Sequence, residues 1–204
     1  HRAVQLPRPW PELLSVTPPA GPLPSLSGAI ASEKGLVEGP AVDLLQSLGW
    51  QHGDLAREEA GPGNPTGRLS FREVILPARL RVALRRLNPT LPGEALALAE
   101  AALTEDRSAM LPVAANREVY RLLRNGVAVE TRQPDGSMKP DRVRLVDWTN
   151  PAANDFFLAS QTWIASPLYT RRPDSIGFVN GIPLLLCEWK APTKAVQEAY
   201  DDNL

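Results

Sequence analysis

The spacing of apolar residues changes near Gly126, and this change divides the chain into two parts. Before this glycine, apolar residues recur every three or four positions, which is typical of helices with one buried face. After it, apolar and polar residues alternate, which is typical of half-buried strands. Residues 193–204 return to a helical composition. The sequence therefore predicts an α/β fold in the broad sense (α+β), in which helices flank a mixed, mainly antiparallel sheet.

The first predicted helix begins at Ser32, a residue type that caps helix N-termini, and ends before Gly49. Pro40 lies in an early turn of this helix, where its missing N–H costs little. The apolar residues expected to face the core are Val37, Ala41, Leu44, Leu45 and Leu48. A loop rich in glycine, proline and acidic residues is expected over 53–67.

Three further helices are predicted before Gly126. Ser70 and Glu73 have the spacing of a capping box, so a second helix is expected to start there, with Pro77 as a kink or a restart. It ends at Asn88-Pro89. The residues expected inside it are Leu80, Ala83, Leu84 and Leu87. The remaining helices are expected over 91–104 and 116–124.

Two hairpins and one separate strand are predicted after Gly126. The first hairpin pairs residues 127–131 with 143–147 across a turn-rich stretch, and the separate strand is expected over 156–164. The second hairpin pairs 176–179 with 182–189 across Asn180-Gly181. Asn-Gly between two apolar runs is the strongest short-range signal for a hairpin.

The first thirty residues contain seven of the 21 prolines of the chain. Because proline lacks a backbone N–H, neither a helix nor a strand ladder propagates through such a segment. Residues 1–30 are therefore expected to form an extended, proline-rich arm, and residues 31–204 the folded domain.

The composition indicates a globular domain and argues against disulfide-rich, zinc-binding and membrane-spanning proteins. A chain of 204 residues, 43% of them apolar and 22% charged, is long enough for one sizeable α/β domain with a buried core. One cysteine excludes an internal disulfide, and together with only two histidines it argues against a structural zinc site. The longest aliphatic stretch, 182–187, is too short to cross a bilayer, and no leader opens the chain. A soluble, cytoplasmic protein without membrane contact is therefore expected.

The residues best suited to catalysis lie at the open end of the second predicted hairpin, opposite its turn. Asp174 precedes its first strand, while Glu188 and Lys190 are two apart and share a face at the end of its second strand. Two buried carboxylates are costly unless a cation joins them. With Mg²⁺ present, Asp174 and Glu188 become ligands and Lys190 faces the water that attacks a phosphodiester. The spacing alone fits an exposed strand end with a Glu188–Lys190 pair equally well.

The register of this hairpin provides a test. A strict two-residue turn pairs Val179 with Ile182 and sets Asp174 opposite the residue before Glu188. The two carboxylates share a face only if the turn has three residues or a bulge adds one. Because Pro183 lacks a donor, we predict a defect of the ladder close to it.

These residues resemble a known family. The stretch from Arg171-Arg-Pro-Asp174 through Asn180-Gly-Ile-Pro-Leu184 to Cys187-Glu-Trp-Lys-Ala-Pro192 is similar to the nuclease domain of the restriction (R) subunit of type I restriction-modification enzymes, which are PD-(D/E)xK nucleases. The resemblance covers roughly residues 31–204. Its other motifs are Asn154-Asp-Phe-Phe-Leu-Ala-Ser-Gln161, Leu123-Arg-Asn-Gly-Val127, Leu87-Asn-Pro89 and Ser32-Glu-Lys-Gly-Leu-Val-Glu38. It implies a restriction-endonuclease-like core.

The resemblance also implies a set of site residues. Asp174, Glu188 and Lys190 match the catalytic positions, and the two acids match the ligands of Mg²⁺, for which Mn²⁺ is a substitute. Glu38 matches a further acidic residue that lines many such sites, and Glu33 is the second candidate for that role. Both acids fit a simpler role nearly as well, in which they only stabilise the start of a helix.

The partners implied by the resemblance are double-stranded DNA and the methylation and specificity subunits of a restriction complex. The family's complete subunit continues into an ATP-driven translocase. This chain has no Gly-x-x-x-x-Gly-Lys-Ser/Thr loop, so ATP is expected to act only through motor domains absent from it. The expected function is cleavage of unmodified DNA after translocation. The alternatives are a stand-alone repair nuclease or junction resolvase, and a non-catalytic DNA-docking module.

The net charge of −1 means that any DNA must be bound by local basic patches. Arg171 and Arg172 adjoin Asp174 and are expected to contact phosphates. Arg79 and Arg86 belong to an arginine-rich segment, 68–86, that fits a phosphate contact, a solvated face or a docking surface. A further basic set near the first hairpin comprises Arg117, Arg121, Arg124, Arg132, Arg142 and Arg144.

Overall fold

The computed structural model describes residues 34–190 of the chain. The predicted arm (1–30), the predicted cap Ser32, the candidate Glu33 and the predicted closing helix (193–204) lie outside the described residues. Within the described part, no helix is long and apolar enough to cross a membrane.

Four α-helices lie among residues 34–190, in the order and number that the sequence predicts. They are α1 (Gly39–Ser47), α2 (Pro77–Leu87), α3 (Gly93–Thr104) and α4 (Pro112–Asn125). A π-helical turn (Lys34–Glu38) leads into α1, and a 3₁₀ turn (Pro151–Ala153) follows the first hairpin.

The described residues also form eight strands. They are β1 (Gln51–Asp54), β2 (Val127–Arg132), β3 (Met138–Val143), β4 (Phe156–Ser160), β5 (Ile164–Ala165), β6 (Thr170–Arg171), β7 (Ser175–Val179) and β8 (Ile182–Cys187). The main sheet has the order β1-β4-β7-β8. β1 runs parallel to β4, and the other neighbours are antiparallel. The predicted α/β class with a mixed, mainly antiparallel sheet is confirmed.

α1 confirms the first predicted helix but corrects its buried face. Pro40 lies in the first turn as expected, and Gly49, with a φ of 93°, follows the end of the helix. Leu44 and Leu48, which are expected inside, are 55% and 61% exposed, whereas Val42 is buried. The spacing identifies an apolar stripe, but α1 has only nine residues and packs beside the edge strand β1, which covers little of that stripe.

α2 starts later than predicted, at Pro77, where a proline loses no helical hydrogen bond. The capping-box prediction is wrong. Ser70 Oγ accepts a hydrogen bond from the N–H of Arg72, and Glu73 Oε2 accepts one from the N–H of Leu69, so both side chains stabilise turns ahead of the helix. The predicted inner face is confirmed, since its four members are all buried: Leu80, Ala83, Leu84 and Leu87.

α3 begins and ends within two residues of the predicted bounds. α4 ends where predicted, at a glycine with a φ of 72°, but it begins at Pro112, four residues earlier than predicted. The additional turn faces solvent, and Val113 within it is 71% exposed. Because this turn is exposed, it has no buried apolar face whose spacing could predict it from the sequence.

β1 is missing from the sequence-based prediction, which treats residues 53–67 as a loop. Its residues, Gln-His-Gly-Asp, are polar or small and do not alternate. They form a strand because their main chain pairs with β4, from Gln51 opposite Phe157 to Asp54 opposite Ser160. Gly53 permits this approach, since a Cβ there would lie 2.8 Å from the ring of Phe157.

Two smaller antiparallel pairs accompany the main sheet. In the first, β2 alternates as predicted, with Val127, Val129 and Thr131 buried. Its partner β3 covers Met138–Val143, so the predicted strand over 143–147 is displaced towards the turn. In the second, β5 pairs with β6, and the strand predicted over 156–164 is interrupted after Ser160.

The core packs against both faces of the main sheet. The larger cluster joins α2, α3 and the first hairpin and includes Val179 of β7. The smaller cluster contains Phe178, the neighbour of Val179 in the same strand, together with Leu76, Phe157, Ala159 and Ile176. Because neighbouring residues of a strand point to opposite faces, the sheet is buried between the two clusters. Each fully buried leucine or phenylalanine contributes about 1.5–3 kcal/mol.

The turn between β7 and β8 is held by an extensive hydrogen-bond network. Asn180 and Gly181 both have positive φ, 54° and 78°, as the tight hairpin turn predicted from Asn-Gly requires. The N–H of Asn180 donates to the carbonyl of Asp155, and Asn180 Oδ1 accepts from the N–H of Asp155, each at 2.8 Å. Asn180 Nδ2 donates to the carbonyl of Leu145 and to Asn154 Oδ1. The turn end of the hairpin is therefore fixed to β4 and to the segment after β3.

Candidate active site

A bulge in β8 sets the register of the second hairpin. Val179 pairs with Ile182 and Phe178 with Pro183, but Gly177 then pairs with Leu185, so Leu184 is an additional residue on β8. The predicted defect beside Pro183 is thus confirmed. It lies where the missing N–H of proline already interrupts the ladder.

The bulge brings the two predicted carboxylates to the same position along the hairpin. The last pair of the ladder is Ser175 with Cys187. One residue beyond it stand Asp174 on one side and Glu188 on the other. A regular ladder would instead set Asp174 opposite Cys187.

Asp174 is held by main-chain N–H donors of two neighbouring segments. Its Oδ2 accepts a hydrogen bond of 2.9 Å from the N–H of Trp189, and its carbonyl accepts one of 2.9 Å from the N–H of Gln161. One bond reaches the segment after β8 and the other reaches the end of β4. The position of Asp174 is therefore fixed on both sides.

The pKa of Glu188 is shifted by the charges of Asp174 and Lys190, which lie close to it. Burial raises the pKa of its carboxyl, and so do the negative charge of Asp174 and a hydrogen bond with the Asp174 side chain. A main-chain hydrogen bond and the positive charge of Lys190 act in the opposite direction, but the net shift is upward. Asp174, Glu188 and Lys190 are thus brought together, and the two acids repel each other when both are ionised.

This acidic pair fits a divalent cation. A cation between the carboxylates replaces their mutual repulsion by attraction. Mg²⁺ is commonly held by one or two carboxylates, with water and substrate phosphates completing its shell. No group of three or more histidine, cysteine, aspartate or glutamate side chains suited to a metal occurs within residues 34–190. The two carboxylates supply oxygen ligands of the kind that a magnesium site uses.

Glu38 lies at the end of the π-helical turn ahead of α1 and is half-buried. It does not join Asp174 and Glu188 in a three-acid metal group of the described residues. Its role at the site stays a prediction.

A row of polar side chains crosses the sheet beside the acids. It is not predicted from the sequence. Trp189 Nε1 donates to Ser175 Oγ at 3.1 Å, Ser175 Oγ lies 3.3 Å from Ser160 Oγ, and Ser160 Oγ lies 3.0 Å from His52 Nε2. Both serines are buried. The row connects β1, β4 and β7 to the segment after β8. A serine at a strand end carries no sequence signal, because its role depends on its cross-strand partners.

Gln161 is a second residue that the sequence does not single out. Its φ is 57°, a conformation that non-glycine residues rarely adopt. This conformation ends β4 and points its N–H at the carbonyl of Asp174. Such backbone conformations concentrate at functional sites.

Arg171 and Arg172 lie at the same end of the hairpin as the acids, because they directly precede Pro173 and Asp174. Both are exposed. Their guanidinium groups lie over aromatic rings, that of Arg171 at 5.7 Å from the ring centre of Tyr169 and that of Arg172 at 5.0 Å from that of Trp163. These contacts orient the arginines while leaving them accessible.

Arg79 and Arg86 lie at the other end of the hairpin. Arg79 donates to both carboxylate oxygens of Asp155 and stacks on Phe157 at 3.8 Å. Arg86 donates to Asn180 Oδ1 at 3.2 Å. Six residue steps of extended chain, about 20 Å, lead from Asn180 to Asp174. The structure does not bring these two arginines to the acidic pair, and their predicted contact with DNA stays a prediction.

Comparison with known proteins gives a consistent set of matches. Residues 30–204 match the family described as type I restriction enzyme R protein N terminus. The type I restriction enzyme HindI endonuclease subunit of Haemophilus influenzae is 38% identical over 162 residues, which are 78% of this chain and 15% of that protein. A protein of Methanocaldococcus jannaschii named "Putative type I restriction enzyme MjaIXP endonuclease subunit" is 29% identical over 179 residues, 84% of this chain and 16% of that protein. The chain thus spans about one sixth of the length of these relatives.

Proposed function

The chain belongs to the family of type I restriction enzyme R protein N termini, and from this premise we propose that it is a Mg²⁺-dependent DNA endonuclease domain. The proposal rests on one observation above all. The bulge at Leu184 places the carboxyls of Asp174 and Glu188 close enough for the Asp174 charge to raise the pKa of Glu188. Lys190 is close enough for its charge to act on the same group.

Asp174 and Glu188 would hold the ion. When bound, Mg²⁺ would neutralise negative charge on the phosphate and lower the pKa of a water molecule. In the hydrolysis, the oxygen of water forms a bond to phosphorus and loses a proton, while the bond from phosphorus to one ester oxygen breaks and that oxygen gains a proton.

The remaining residues would orient the reaction. The ammonium of Lys190 would position the attacking water or stabilise the additional negative charge that develops on the phosphate. The N–H of Trp189 keeps Oδ2 of Asp174 in place. Arg171 and Arg172, next in the chain, would contact the phosphates that flank the cleaved bond.

The proposal for the whole enzyme goes beyond this chain. We propose that the domain cuts unmodified DNA after ATP-driven translocation, in a complex with methylation and specificity subunits. No Walker-type phosphate loop is present in the 204 residues, so the motor would lie in the part of the relatives' length that this chain does not span.

Metal binding gives the first test. Titration of the chain with Mn²⁺ by calorimetry should show one site that is lost in Asp174→Ala. Asp135→Ala, which removes an exposed acid in the β2–β3 turn, is the matched control and should bind Mn²⁺ like the wild type. Equal binding by all three proteins would contradict the metal site and would favour a docking module.

Catalysis gives the second test. In the complete restriction complex, Lys190→Ala should lower DNA cleavage by about 10²–10³-fold while DNA binding remains. Lys139→Ala is the control, because Lys139 is exposed and paired with Asp141 on β3. Full cleavage by the Lys190 variant would exclude the proposed role of this lysine.

A further inference from the structure

α4 carries a stripe of arginines that the proposed site does not use. Arg117, Arg121 and Arg124 are spaced by four and three residues, so they lie on one face of the helix. All three are exposed. The seven residue steps from Arg117 to Arg124 correspond to about 10 Å along the helix axis.

No acid within residues 34–190 neutralises this stripe in an ion pair. The one acidic residue of α4 is Glu118. Its carboxylate is held by Arg107, whose Nη2 lies 2.9 Å and Nε 3.1 Å from Glu118 Oε1. The Arg107 contact therefore occupies the one acid of α4, and three positive charges remain on the arginine face of the helix.

The helix that carries the stripe is held to the rest of the domain near its C-terminal end. Leu122 and Leu123 pack against the larger core cluster. Trp148 Nε1 donates to the carbonyl of Leu123 at 2.9 Å, and Arg142 donates to the carbonyl of Asn125 at 3.1 Å. Arginines on a rigid helix lose less conformational freedom when they bind a ligand than arginines on a loop.

We propose that Arg117, Arg121 and Arg124 form a surface that binds the phosphate backbone of double-stranded DNA, away from the acidic pair. This inference rests on the proposed function for the presence of DNA. A row of unneutralised arginines matches the regular charges of a phosphate backbone, and Tyr120, 57% exposed beside the row, adds a hydrogen-bond donor of the kind that contacts phosphates. α4 packs against the larger core cluster, which includes Val179 and Ile182 at the turn end of the hairpin, whereas the acidic pair lies at the opposite end of the hairpin.

The test measures binding of a 30-base-pair duplex by fluorescence anisotropy at several salt concentrations, without divalent ions. The wild type is compared with the triple variant R117Q/R121Q/R124Q, with the triple lysine variant at the same positions, and with the control R57Q/K139Q. The control removes two positive charges from exposed side chains outside the arginine-rich segments, one of which is already paired with Asp141. Circular dichroism checks that all four proteins are folded.

Each phosphate contact contributes about 0.9 to the slope of log K against log salt, so the glutamine variant should have a slope shallower by about 2.7. Its affinity at 0.05 M salt should fall at least about tenfold. The lysine variant should bind within about twofold of the wild type, because phosphate neutralisation needs the charge and not the guanidinium shape. The control should also stay within about twofold.

Three results would overturn the inference. A glutamine variant with unchanged affinity and slope would exclude the surface, while Mn²⁺ binding and cleavage through Asp174, Glu188 and Lys190 would leave the proposed function intact. A lysine variant as weak as the glutamine variant would exclude phosphate contacts. A wild type that binds no duplex at any salt concentration would reject both the surface and the proposed function.

Discussion

The N–H of Trp189 donates a hydrogen bond of 2.9 Å to Oδ2 of Asp174, which ties the segment after β8 to the residue before β7. The indole of the same residue donates to Ser175 Oγ. Trp189 stands between Glu188 and Lys190; its main chain holds Asp174, the third member of the site, and its side chain holds the neighbouring Ser175. Trp189 therefore supports the structure of the site and does more than separate Glu188 from Lys190.

Substitution of Ser175 should weaken the site without unfolding the protein. Ser175→Ala removes the acceptor of the Trp189 indole and the neighbour of Ser160, which costs about 1 kcal/mol for a lost hydrogen bond. We expect this loss in urea unfolding and a weaker Mn²⁺ affinity in calorimetry. Ser47→Ala, which removes an exposed hydroxyl that bonds within α1, is the control and should change neither quantity measurably. An unchanged Mn²⁺ affinity in the Ser175 variant would show that Trp189 does not depend on this contact.

Insertion of one alanine after Leu184 should separate the acids while keeping the hairpin. With the bulge retained, the added residue moves Glu188 one position further from the turn, so Asp174 faces Cys187 instead of Glu188. Mn²⁺ binding and DNA cleavage should both be lost. Leu184→Ala keeps the bulge and truncates a side chain that is 44% exposed, so it should retain both activities. Retention of metal binding by the insertion variant would refute the importance of the register.

The pH dependence of stability should include a contribution from Glu58. Burial of its carboxyl acts to raise the pKa, but hydrogen bonds from Arg68, Thr66 and Asn64 and the charge of Arg68 outweigh burial and lower it. An acid with a depressed pKa in the folded state stabilises the protein above its unfolded pKa, and this contribution is lost as the pH falls through the folded pKa. The unfolding free energy should therefore decline below about pH 4.3, the reference value for glutamate.

The Glu58→Gln variant isolates this contribution. It removes the charge that faces the fully buried Arg68, and an unpaired buried charge costs about 3–5 kcal/mol. The variant should be less stable than the wild type at pH 7, and the difference should shrink between pH 4 and pH 2. Urea unfolding at several pH values measures both. Parallel pH profiles of the two proteins would exclude Glu58 as the titrating group.

Alanine substitutions at two glycines allow the stability cost of backbone strain to be measured separately from the cost of a steric clash. Gly181 and Gly136 both have positive φ, 78° and 86°. A Cβ at Gly181 would lie 2.6 Å from the carbonyl oxygen of Leu76, whereas nothing lies within 4 Å of a Cβ at Gly136. Gly136→Ala should cost about 1 kcal/mol, the price of a left-handed alanine, and Gly181→Ala should cost at least about 2 kcal/mol more. Equal losses in urea unfolding would contradict the close approach of the turn to α2.

Sequence patterns identify those elements whose side chains decide their structure. The inner face of α2 follows from apolar spacing, and the β7–β8 hairpin follows from Asn180-Gly181. Counting residues from that turn, together with the missing donor of Pro183, also predicts the bulge. In each case the physical cause lies within a few residues of its effect.

Elements whose structure depends on distant partners are missed. β1 has no apolar alternation and exists because β4 supplies its hydrogen bonds. Ser70 and Glu73 have the spacing of a helix cap, but the chain turns before the helix begins. For the candidate site, the triplet of charged residues is predicted from spacing and resemblance. The supporting residues Trp189, Ser175 and Gln161 become visible only when the cross-strand contacts are known.

The fixed turn at Asn180 makes the alignment of the two acids depend on a single unpaired residue. Thirteen residues lie between Asp174 and Glu188: ten form five pairs of the ladder, two form the turn and one is the bulge. At this spacing a third turn residue could replace the bulge, whereas a three-residue turn together with the bulge would shift the acids one position apart. Homologous chains with the same spacing should therefore contain a three-residue turn or a bulge in β8, but not both.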